Sequence, residues 1–124
     1  MKKIIIAMIG FLLMANEASA AGIYDGIYQL NPNIGYVTIL EQNGIMIGII
    51  NETYGGYSWG AASGVLNGTS VQVSTIIGNL NEIINVNFTS ATTFTATIVS
   101  CSPKTSGYYC LFKAGQTLTG TKIW

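Results

Sequence analysis

Apolar and polar residues alternate along most of this chain, and the alternation is broken at regular intervals by residues that favour turns. In residues 93–99, Phe94, Ala96 and Ile98 fall on one face of an extended segment while Thr93, Thr95 and Thr97 fall on the other. That is the two-residue period of a strand with one buried side. Residues 36–42, 70–77 and 83–89 are rich in β-branched side chains and read the same way. The interruptions are Asn31-Pro32-Asn33, Asn43-Gly44, Gly55-Gly56, Asn67-Gly68, Gly78-Asn79, Ser90-Ala91, residues 103–107 and Ala114-Gly115. Their centres lie about 11 or 12 residues apart until the last two, a spacing typical of short strands in all-β domains. Asn43-Gly44 and Asn67-Gly68 are strong hairpin signals, because a type I′ turn needs positive φ at both central residues. No helical period is found after residue 20.

Hairpin following hairpin predicts an all-β, antiparallel, up-and-down meander of eight or nine short strands. A meander of that length in so small a chain best hides its edges by closing into a small barrel. A β-sandwich is the alternative.

The first twenty residues differ from the rest. Lys2 and Lys3 precede an apolar run from Ile4 to Ala15, and Ala18-Ser19-Ala20 ends the segment. The pattern matches a secretory signal peptide cleaved after Ala20, with an apolar run shorter than the roughly 20 residues of a membrane span. The expected organisation is a signal peptide at 1–20 and a single all-β domain at 21–124. A short, lysine-led signal suggests a bacterial protein that is periplasmic or secreted.

An oxidising destination changes the meaning of the only two cysteines, Cys101 and Cys110. A metal site would need further ligands, yet the chain has no histidine and no third cysteine. A thioredoxin-type pair would have two intervening residues, not eight. Exported chains use paired cysteines chiefly as disulfides, so the pair is expected to staple the irregular segment between the 93–99 strand and the next strand, which would contain Cys110.

Composition narrows the function. Beyond residue 20 the charges are Lys104, Lys113 and Lys122 against Asp25, Glu41, Glu52 and Glu82, with no arginine. No basic stripe is available for nucleic acid, and no cationic cluster for a membrane surface. Without histidine, a Ser-His-Asp or Cys-His arrangement cannot be built, which leaves carboxylate pairs. With Asn43-Gly44 as a two-residue turn, Glu41 faces Met46 near the turn and Glu52 faces Gly35 at the far end. That puts the two glutamates roughly 20 Å apart, beyond the spacing of glycosidase carboxylates. Glu82 shares an end with Glu52 but stands three strands away, and Asp25 with Glu41 is the only acid pair expected to meet. Neither an enzymatic activity nor a cofactor is expected.

Candidate binding residues are aromatic. Ser58-Trp59-Gly60-Ala61-Ala62-Ser63-Gly64 sets one large ring beside small residues that allow close approach, so Trp59 could wall a pocket; the alternative is a tightly coiled barrel strand in which Gly60 and Gly64 mark bulges or bends and Trp59 plugs one end of the core. Tyr57, Tyr28 and Tyr36 are further candidates for ligand contact. Gly26-Ile27-Tyr28 resembles the glycine-x-aromatic opening of lipocalin-like barrels, which implies a small antiparallel barrel binding an apolar ligand. The chain departs from that family in having tyrosine for the usual tryptophan, no arginine to pack over it and no C-terminal helix. Trp59-x4-Gly64-x-Leu66-x-Gly68 is similar to uncharacterised exported bacterial β-proteins and implies no activity.

Three functional classes follow. The first is a non-catalytic binding module for a small apolar or carbohydrate ligand. The second is a protein-interaction domain, such as a hydrolase inhibitor, whose stapled loop presents Pro103, Lys104, Tyr108 and Tyr109 with little entropy to lose. The third is a small outer-membrane barrel, because lipid-facing and core-facing alternation share one period; Lys122 and the short strands weigh against it.

Overall fold

The computed structural model describes residues 21–52 and 58–124. The expected signal segment at 1–20 and the candidate Tyr57 lie outside the described residues. Eight strands follow in order: β1 (Gly26–Asn31), β2 (Gly35–Gln42), β3 (Ile45–Glu52), β4 (Ser58–Asn67), β5 (Ser70–Ile77), β6 (Leu80–Ser90), β7 (Thr93–Pro103) and β8 (Thr117–Lys122). Each pairs antiparallel with the next, and β8 returns to β1, so the sheet closes as a barrel. The described residues contain no helix. The up-and-down meander is thus realised as an eight-stranded barrel, not as a sandwich.

Turn chemistry sets the registers. Asn43 and Gly44 both have positive φ, at 54° and 75°, and β2 pairs with β3 from Gln42↔Ile45 through Glu41↔Met46 to Gly35↔Glu52, as the Asn-Gly turn predicts. The second Asn-Gly behaves differently. Asn67 stays in β4 opposite Ser70, and Gly68, with φ 63°, takes the first central position of the turn. This register sets Leu66 opposite Val71 rather than Thr69, so two apolar side chains meet inside the barrel.

Inward positions form one core, which includes Tyr28, Leu30, Val37, Ile39, Met46, Val73, Ile84, Phe88, Phe94 and Ile98. One end is closed by rings. Tyr24 stacks on Phe88 at 3.8 Å between centroids, and Phe88 and Tyr28 each pack against Phe94. The Tyr28 hydroxyl donates to the Tyr24 carbonyl at 2.8 Å. The other end carries the β5–β6 turn and the long connection between β7 and β8.

The cysteines do form a disulfide, with Cα atoms 6.0 Å apart. Its placement corrects the expectation for Cys110, which lies in the irregular segment before β8 and not in a strand. Leu111 and Phe112 pack against the core there. Burying those two side chains over the barrel end takes the segment out of line for lateral pairing, and β8 begins only at Thr117.

The outer wall has two unlike halves. On β5 to β8 the outward positions are mostly Ser, Thr, Asn and Gln, bonded across strands: Gln72 donates to Asn85 at 2.9 Å and Ser70 to Asn87 at 3.0 Å. On β2 to β4 the exposed outward residues include Tyr36, Leu40, Ile45, Ile47 and Val65. No carboxylate or amine stands among the outward positions of those three strands, since Glu41 and Glu52 belong to the inward-facing sets.

Candidate functional site

The end opposite the ring cluster is a mouth. Its floor is made where β4 and β5 part. The register shifts between Ala61 and Ala62, and Ala61 pairs with Ile77 while Ala62 pairs with Thr75. A bulge of this kind bends a strand and ends regular pairing. Small residues at Gly60, Ala61 and Ala62 leave space beside it; the bulge falls at Ala61/Ala62 and not at Gly60 or Gly64, and Trp59 is exposed and does not plug the core. A cavity of about 370 Å³ opens at this point, lined by Trp59, Gly60, Glu52, Glu82, Tyr108 and Tyr109 among others.

Below the mouth lies a second space of about 110 Å³ inside the barrel, walled by Val37, Met46, Ile50, Val73, Phe94 and other apolar side chains. The two spaces share eight lining residues, Ile50, Glu52, Glu82, Tyr109 and Leu111 among them. The barrel is therefore neither solid nor an open pipe. It has an apolar interior that leads to a mouth with two carboxylates and aromatic rims.

Counting strands sets Glu52 on β3 and Glu82 on β6, three strands apart. Closure changes this, because inward positions of separate strands look across one interior. Burial and the neighbouring Glu52 charge together hold the Glu82 carboxyl above its ordinary value of 4.5, burial being the larger cause. The Glu82 N–H bonds to Thr75 Oγ1 at 3.0 Å, just past the Ser74↔Ile83 pair where the β5–β6 ladder ends. Nothing short-range in the sequence linked these two glutamates; the signal lay in their inward parity combined with closure.

The expected meeting of Asp25 and Glu41 has a structural outcome. Asp25 accepts the Gly22 N–H at 2.9 Å and the Glu41 N–H at 2.7 Å, so its two oxygens hold the N-terminal segment against β2.

Of the candidate binding residues, Trp59, Tyr108 and Tyr109 come together at the mouth. Trp59 is 59% exposed and forms part of the rim. Tyr28 lies elsewhere, wholly buried in the ring cluster, where burial, with lesser effects of Asp25 and Tyr24, pushes its hydroxyl up to about 12. Tyr36 is on the outer wall of β2, beside Asn51 and, one strand further, Trp59. Pro103 pairs with Leu80 at the end of β7, and the Lys104 N–H donates to the Asn79 carbonyl at 2.9 Å. Both are exposed and neither lines the mouth. Comparison of the chain with known protein families, curated proteins and solved structures found no significant match.

Proposed function

We propose that this barrel is a non-catalytic binding module for a small amphiphile, exported to an oxidising compartment where its disulfide persists. The carrying observation is the continuity of the apolar interior with the carboxylate-bearing mouth. The mouth falls within the roughly 300–1,000 Å³ range of small-molecule sites. An apolar space of 110 Å³ left empty would cost about 2–3 kcal/mol on the cavity scale, which favours filling it. An aliphatic segment suits the interior, since a sugar ring would bring hydroxyls that Val, Ile and Phe cannot pair. The head group would lie between Glu52, Glu82 and the rim of Trp59, Tyr108 and Tyr109. The lipocalin-like opening at Gly26-Ile27-Tyr28 fits this use of a barrel.

The exposed stapled segment favours a second reading, a protein-interaction domain that presents Tyr108 and Tyr109. The Thr- and Asn-rich wall of β5 to β8 weighs against a barrel set wholly in lipid, which needs an apolar band all round.

Mass spectrometry of the protein recovered from cells without detergent tests the first reading. The native mass should exceed the denatured mass by roughly a few hundred daltons, the size of a ligand suited to such a pocket. The excess should vanish in Ile50→Trp, which fills the passage between interior and mouth. Equal native and denatured masses in the unaltered protein would reject the small-ligand reading in favour of a protein partner at the loop.

A further inference from the structure

Charge is divided unevenly between the lining of the barrel and the rest of the chain. Glu52 and Glu82 both line the mouth and both border the interior, and no lysine lines either space. Lys104 and Lys113 are exposed elsewhere. Lys122 belongs to the ring-closed end, where its Nζ stands 5.4 Å from the Tyr28 ring centroid and donates to the Ile23 carbonyl at 3.1 Å. Residues 53–57, which join β3 to β4, read Thr-Tyr-Gly-Gly-Tyr and add no charge. Two partly buried carboxylates at one opening repel each other, and a cation seated between them would turn that repulsion into attraction.

Resting on the small-amphiphile reading above, we propose that the ligand is a cationic amphiphile, an aliphatic chain ending in a quaternary or protonated amine, with its chain in the apolar interior and its nitrogen between Glu52 and Glu82 beside the rings of Tyr108 and Tyr109. Three observations select this head group. First, a bare metal ion is a poor fit: among the described residues no group of three or more acidic, cysteine or histidine side chains could hold one, and it would leave the 110 Å³ apolar space unfilled. Second, a carboxylate or sulfate head would meet two like charges and no lysine, and a neutral head would leave both carboxylates uncompensated. Third, Tyr108 and Tyr109 stand at the same mouth, 48% and 71% exposed. The negative faces of aromatic rings attract alkylated ammonium groups, which shed water readily. The fold ties these rings to the acid: Glu82 pairs with Cys101, Cys101 is bonded to Cys110, and Tyr109 directly precedes Cys110.

Equilibrium dialysis of the protein at neutral pH against decyltrimethylammonium, decanol and decanoate, matched in chain length and kept below their micelle concentrations, tests the head group apart from the chain. The ammonium should bind at least about tenfold more tightly than the alcohol, and the carboxylate more weakly than the alcohol. Added salt should shrink the ammonium's advantage. Replacing both acids, Glu52→Gln with Glu82→Gln, should bring the ratio of ammonium to alcohol affinity close to one, and Tyr109→Leu should lower it in part. The readout is a ratio within each protein, so a variant that is only partly folded still reports it. An ammonium that binds no more tightly than decanol, or a decanoate that binds best, would overturn the inference and leave the apolar-interior reading standing. An ammonium advantage that survives both glutamine substitutions would overturn it as well. Failure of all three probes to bind would reject the small-amphiphile reading and this inference with it.

Discussion

Glu82 faces inward because the period that points Ile84, Val86 and Phe88 into the barrel leaves position 82 the same direction. Its carboxyl is held above 4.5 by burial and then by the charge of Glu52. Between the unfolded value and this raised one, the native state binds more protons than the unfolded chain, so stability falls as pH rises through that window and levels off above it. Thermal melting should therefore occur at lower temperature at neutral pH than near pH 4.5. In Glu82→Gln the dependence should flatten and the neutral-pH midpoint should rise, as read by calorimetry. A steep pH dependence that survives the substitution would place the titrating group elsewhere. Glu52→Gln removes the second cause and should move the wild-type transition to lower pH.

At the scale of elements, the staple and the hairpins differ in what holds them. The β2–β3 hairpin carries its own turn chemistry, whereas the β7–β8 connection has Leu111 and Phe112 against the core and the Cys101–Cys110 bond. Replacing both cysteines by serine lets the unfolded chain sample more conformations and should cost about 2.5–3 kcal/mol in the chain-entropy model. Denaturant melts would measure that loss while far-UV circular dichroism kept its β signature, because every barrel pair except those near Cys101 is independent of the bond. Loss of the whole β spectrum would mean that the cover holds the barrel together. Strand order and the first hairpin were legible because Asn43-Gly44 and alternation in β7 act locally. Three features were not. The position of Gly68 in its turn depends on which side chain meets Val71; Cys110 left the ladder because Leu111 and Phe112 have a better place over the mouth; and β3, IMIGII from Ile45 to Ile50, is apolar on both faces, so its pattern cannot tell inside from outside.

At the scale of the whole molecule, closure is what turns strands into a site. It brings Glu52 and Glu82 to one mouth and makes a common interior. The seam that completes it joins β1 to β8 through four paired positions, and beyond them Ile27 donates to the Trp124 carbonyl at 2.9 Å and accepts from Ile123 at 2.8 Å. A chain ending at Gln116 would lack β8 and so expose the edges of β1 and β7, with Thr95 and Thr97 freed on one side and Tyr28 and Leu30 uncovered on the other. Unpaired edges beside apolar side chains recruit further chains, so the truncated protein should aggregate at concentrations where the unaltered protein stays soluble. Light scattering during refolding would measure this. A truncated chain that remained soluble and kept a cooperative melt would show that seven strands can protect their own edges, and closure would then serve the site alone.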